Sequence, residues 1–251
     1  MENLIKMSSL ADKRKFELSS LPPDNIIGMH VNVKEFNALT CMGDRRTLSI
    51  GITGHTNLDP QQTGKLEQAV NEAICFIEQQ FAQHYLTIYS TLAAGAERLV
   101  ARQLLNREAA RLIAILPLPQ NDYLNEFAPS DDYRLNGQGA ELRKELKYWL
   151  SHKAIEIIEM SPSSTRNAAY LKAGYYIAEH SDVLIAIWDG NEQEDSSITV
   201  QIVDKAEKLN KPVCHIWADN FELNPMNTKI RGKCGQIRYK NFDGHEEGKW
   251  N

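Results

Sequence analysis

From Thr47 onward the chain alternates between short apolar runs and longer stretches in which apolar residues recur every three or four positions. Leu48, Ile50 and Ile52 alternate with small or polar residues and predict a strand. Behind it, Leu66, Ala69, Val70, Ala73, Ile74, Ile77 and Phe81 fall on one face of a helix reaching from Pro60 to about Gln83. Tyr85 to Thr91 is β-branched and aromatic and predicts a second strand, followed by a helix from Ala96 to about Arg107. A third strand spans Arg111 to Leu116, and an insertion from Gln120 to Gly139 leads to a helix from about Ala140 to Ser151. Ala154 to Glu159 is the fourth strand, and Ser163, Ser164 and Thr165 offer caps for a helix running to Ala178. Asp182 to Trp188 is almost continuously apolar, as expected of a central parallel strand covered on both faces. A polar loop then enters a helix from Ile198 to about Leu209, and Pro212 to Trp217 closes the series.

Six strand-helix repeats with crossover-length connections predict an α/β fold: a Rossmann-like, doubly wound parallel sheet of about six strands with helices on both faces. Residues 1–45 read as an N-terminal extension in which Ile27 to Val33 has the alternation of an edge strand. Residues 46–217 form the expected domain, and 218–251 return to polar composition and read as a loosely packed tail.

Composition narrows the function. A hydrophobic content of 42% supports a real core. The net charge of -5 offers no basic field, so nucleic acid is not an expected partner. Cys41, Cys75, Cys214 and Cys234 are scattered without metal-ligand spacing, as in a cytoplasmic protein with reduced thiols and no metal site. The first twenty residues lack the apolar core of a signal peptide, and no run is long enough for membrane insertion.

Candidate chemistry collects where the predicted strands end. After the first strand come Thr53, Gly54 and His55, and then Asp59-Pro60 in the form of a helix N-cap. The spacing G-x-x-G-H is neither the dinucleotide fingerprint nor a Walker A loop. A glycine turn entering a helix nevertheless suits an anion, because backbone N–H groups and the helix dipole point at it. The second strand runs into Ala94, Gly95, Glu97 and Arg98, where Arg98 is the expected phosphate partner and Glu97 the partner of ribose hydroxyls, held ionised by the helix start. Pro117 and Tyr123 follow the third strand, with Tyr123 placed to cover a base. Asp189 and Gly190 follow the central strand, with Ser196 and Thr199 at the next helix start. In a doubly wound sheet these segments share one edge, and a ligand lies across the switch in strand order.

The succession GITGHTNL, LAAGAERLVAR, ILPLPQNDYLNEF and AYLKAGYYIAEHSDVLIAIWDG resembles the SLOG superfamily, Rossmann-like ligand-sensing relatives of the Lonely-Guy-type phosphoribohydrolases. The resemblance covers about Thr47 to Trp217. It implies a nucleotide-derived ligand, NAD-related or a cyclic nucleotide, sensed in a bacterial setting with no other cofactor required. It maps Gly54 and His55 onto the first phosphate loop, Gly95, Glu97 and Arg98 onto the second, and Asp189 and Gly190 onto the loop after the central strand.

The chain departs from that pattern at one place. Relatives open the helix after the central strand with a glycine pair and threonine, and the hydrolases place a catalytic glutamate three residues beyond that threonine. Here the match is Ser196-Ser197-Ile198-Thr199, and the position of the glutamate is Ile202. Without that carboxylate the acid-base step has no agent. The expected function is therefore binding or sensing without efficient turnover, with a homo-oligomer or a separate effector as the protein partner. The alternatives are an N-glycosidic hydrolase or deoxyribosyltransferase-like enzyme using Glu97 or Asp189, and a structural or oligomerisation module.

Overall fold

In the computed structural model the described residues are 47–81, 85–107, 110–127, 139–190, 197–218 and 233–242. The extension at 1–45, including the strand expected at Ile27 to Val33, lies outside them.

Six strands run parallel: β1 (Thr47–Gly54), β2 (Tyr85–Ser90), β3 (Arg111–Leu116), β4 (Ala154–Glu159), β5 (Val183–Trp188) and β6 (Val213–Trp217). A seventh, β7 (Ile237–Lys240), pairs antiparallel with β6. The helices are α1 (Thr63–Gln80), α2 (Ala96–Leu105), α3 (Gln120–Asn125), α4 (Gly139–His152), α5 (Arg166–His180) and α6 (Ile198–Lys208). The sheet order is β4-β3-β2-β1-β5-β6-β7, so the order switches between β1 and β5.

The two faces of the sheet bury separate apolar clusters. Leu48, Ile50 and Ile52 of β1 pack with Leu66, Val70 and Ile74 of α1 and with Val100 and Leu104 of α2. On the opposite face Ala173 and Ile177 of α5 and Ile202 and Val203 of α6 pack on Leu184 and Ala186 of β5. Each such aliphatic side chain contributes about 1.5–3 kcal/mol by leaving water. The doubly wound fold read from the sequence is thus the one observed. Gly51 has a specific place in it: a Cβ there would lie 2.8 Å from Ile177 Cγ2 and 2.5 Å from Ser181 Oγ, so its absence brings α5 down onto β1.

Two local expectations change. Asp59 does cap the first helical segment, its Oδ1 accepting the Gln61 N–H at 2.9 Å. That segment is a 3-10 turn over Pro60–Gln62, and α1 begins only at Thr63. The part of the polar tail at 233–242 is not loosely packed. Phe242 is buried, and the Tyr239 ring lies 4.0 Å from that of Phe76 on α1. Four alternating residues give too short a pattern to announce a strand, and their burial depends on a distant helix face. Thr165 caps α5 as expected, accepting the Ala168 N–H at 3.1 Å. No helix among the described residues is long and apolar enough to cross a membrane.

Candidate ligand-binding site

The glycines after β1 and β2 exist because two loops cross there. Gly54 has φ +152°, and a Cβ on it would come 2.2 Å from the Ile187 carbonyl oxygen and 2.6 Å from Ala96 Cβ. Gly95 has φ +73°, and a Cβ there would meet the carbonyl oxygens of Thr56 and His55 at 2.3 and 2.5 Å. Only glycine fits such backbone-on-backbone approaches. Hydrogen bonds lock the crossing: the His55 N–H donates to Ile187 O, and His55 O accepts the Ala96 N–H, both at 2.9 Å. The first amide of α2 is therefore committed to the β1 loop and is not available to a phosphate.

The crossing forms one wall of a cavity of about 300 Å³ at the carboxyl ends of β1 and β2, beside the switch in strand order. Its polar side comprises Thr53, His55, Thr91 and Glu97. The opposite side is built by α5 through Asn167, Tyr170 and Gly174, and by the first turns of α6 through Ile198, Thr199 and Ile202. Among the described residues, no lysine or arginine lines it, and no group of three or more His, Cys, Asp or Glu is placed to hold a metal ion.

Glu97 is buried, and its carboxyl accepts Ser90 Oγ–H at 2.6 Å and Thr91 Oγ1–H at 2.9 Å. Burial pushes this carboxyl above the usual range, and the hydroxyl bonds offset only part of that shift. The shift runs opposite to the one expected from its position at the start of α2, and its largest cause is the loss of water on burial. His55 Nε2 accepts the Asp189 N–H at 3.0 Å, and Asp189 Oδ1 lies 3.4 Å from the same nitrogen. Thr53 and Thr199 are 3% and 7% exposed, line the cavity and have no side-chain hydrogen-bond partner among the described residues.

Of the residues expected in the site, Thr53, Gly54, His55, Glu97 and Thr199 share the cavity wall. Ala94, Gly95, Asp189 and Gly190 lie outside it; Gly95 supports the loop crossing, and Gly190 faces His215 and Trp217 at the end of β6. Pro117 is buried beyond β3, and Ser196 is outside the described residues.

Arg98 and Tyr123 require correction. The Arg98 guanidinium is 1% exposed, and it donates to Leu92 O at 2.9 Å, Leu142 O at 2.5 Å and Glu145 Oε2 at 3.0 Å. It lies 4.7 Å over the Phe127 ring. Arg98 fastens α2 to α4 and faces away from the cavity. The Tyr123 ring is fully buried between Phe127 and Tyr170, with centroids at 5.4 and 6.1 Å, so it packs and covers no base.

Thr56, Thr91, Ala93, Asn167, Tyr170 and Gly174 are cavity residues that sequence reasoning missed. The signal for the last three was present, since positions 167, 170 and 174 fall on one helical face. Tyr170 is held in place by its hydroxyl donating to Glu126, whose carboxylate also accepts both Arg166 Nε and Nη2 at 2.7 and 2.8 Å.

No family model and no curated protein matches the chain. Solved structures to which it is similar include DNA processing protein A from Helicobacter pylori, reported for its single-stranded DNA binding mode. Identity is 15%, the match covers 70% of this chain and 68% of that one, and the TM-score is 0.39. Beside this finding, the exclusion of nucleic acid drawn from the net charge of -5 is withdrawn. A net charge averages over all faces and does not exclude a local contact.

Proposed function

We propose that the chain is a SLOG-like binding domain that senses a nucleotide-derived small molecule in the bacterial cytoplasm and passes its occupancy to a second copy or an effector. The observation that carries this reading is Ile202 in the cavity wall. The hydrolases to which the sequence bears a resemblance need a carboxylate at that position, and an aliphatic side chain can neither transfer a proton nor stabilise an oxocarbenium-like centre. The hydroxyls of Thr53 and Thr199, which line the same cavity, suit recognition of oxygen atoms. Asn167 adds an amide on the α5 side.

The test is free-base release from nucleoside monophosphates, run beside a thermal-shift screen of nucleosides and nucleotides. Ligand-dependent stabilisation with no more than trace release is the expected result. Turnover in the common range of about 1–1000 per second would overturn the sensor reading.

One observation favours an enzyme instead. Glu97 reaches the cavity with its carboxyl pushed toward the protonated form, as a general acid for N-glycosidic cleavage requires. The two readings part at Glu97→Gln: an enzyme loses its turnover, whereas a sensor has none to lose.

A further inference from the structure

Among the described residues, one carboxyl group lines the cavity, that of Glu97, and no lysine or arginine does. The two cations that sequence or position bring near are both committed elsewhere. Arg98 turns into the α2–α4 contact, bonded to Leu142 O and Glu145. Arg166 is held through two nitrogens by Glu126. Donors that line the cavity, the hydroxyls of Thr53 and Thr199 and the Asn167 amide, are neutral.

A site of this kind is costly for a polyanion. Taking phosphate charge out of water requires a cation or a dense set of donors in return. Here the anion also meets Glu97, which must either repel it or keep its own proton for the anion to enter. An uncharged furanoside loses none of this: its hydroxyls donate to the Glu97 carboxyl and accept from the threonines. A volume of about 300 Å³ is at the small end of ligand cavities, which run to about 1,000 Å³, and so fits one nucleoside unit better than two joined by a pyrophosphate.

We infer that the cavity selects a nucleoside-like furanoside carrying at most one negative charge, a free nucleoside or a cyclic phosphodiester, over phosphate monoesters and pyrophosphates. This rests on the binding reading above and assigns the ligand's charge class.

The experiment is calorimetric titration of the full chain with adenosine, guanosine, cytidine and uridine, with their 3′,5′-cyclic monophosphates and 5′-monophosphates, and with ADP-ribose. The best nucleoside or cyclic monophosphate is expected to bind at least about tenfold more tightly than the matching 5′-monophosphate and than ADP-ribose. Tighter binding of a 5′-monophosphate or of ADP-ribose overturns the charge assignment and leaves the sensor reading standing. Absence of binding across the whole series overturns both. In Glu97→Gln the preference is expected to shrink by about tenfold; a folded variant with an unchanged preference overturns the role given to Glu97.

Discussion

The backbone N–H of Asp189, just past the end of β5, donates to His55 Nε2 at 3.0 Å, joining the two strands between which the sheet order reverses. Both residues are buried, so removing the imidazole takes the acceptor away from a buried main-chain donor. His55→Ala is expected to lower unfolding free energy by about 1–3 kcal/mol. His55→Gln, whose side-chain oxygen can accept the same proton, should recover part of the loss. Denaturant titration checks this, and equal stability of the alanine variant and the wild type would count against the bond.

With a Cβ forced to 2.2 Å from Ile187 O at φ +152°, Gly54→Ala should disturb the β1–β5 junction and cost about 3 kcal/mol or more. Thermal melting of the purified variant reads this directly, and a melting temperature within a degree or two of wild type would refute it.

Arg98→Met should destabilise the fold by about 3 kcal/mol, because the Leu92 and Leu142 carbonyls lose their donor and Glu145 loses one of its two cations. The affinity for a bound nucleoside should stay nearly constant. Normal stability with weakened binding of phosphorylated ligands would reverse the assignment and return Arg98 to the site.

His215 carries a pH dependence that lies outside the cavity. Burial against Trp188, with Lys240 and Arg238 nearby, outweighs the Trp188 carbonyl and Asp189 and holds the imidazole down at about 4, from an ordinary 6.5. The unfolded chain takes up a proton below about 6.5 while the folded one does not, so stability must fall as pH drops from 6.5 toward 4. The loss should approach about 3 kcal/mol and be largely absent in His215→Gln. Urea titrations of both proteins at pH 7 and pH 4.5 make the comparison; parallel losses would show that other groups are responsible.

The fold was legible because its strands are short alternating or apolar runs, with β5 apolar throughout, and the strands from β1 to β5 are each followed by a stretch of helical periodicity, patterns that survive without tertiary knowledge. The site was legible where backbone geometry determines it, at Thr53, Gly54 and His55, and at Thr199 on the next crossover. It was obscured where the question was which way a side chain turns. Glu97 and Arg98 are neighbours in the first turn of α2, about 100° apart around the helix, and only the position of α4 decides that the first faces the cavity and the second the core. Tyr123 was misread for the same reason: its surroundings, Phe127 and Tyr170, come from two different elements.

The pairing of β7 with β6 moves the end of the folding unit. Cutting the chain where its polarity changes, after Ala218, would strip β6 of its outer partner and uncover Phe76 on α1. Such a shortened protein would present an unpaired strand edge beside an apolar surface, the combination that drives intermolecular strand addition. Any work on the isolated domain therefore has to carry the chain through Phe242, or it will measure the self-association of a fragment.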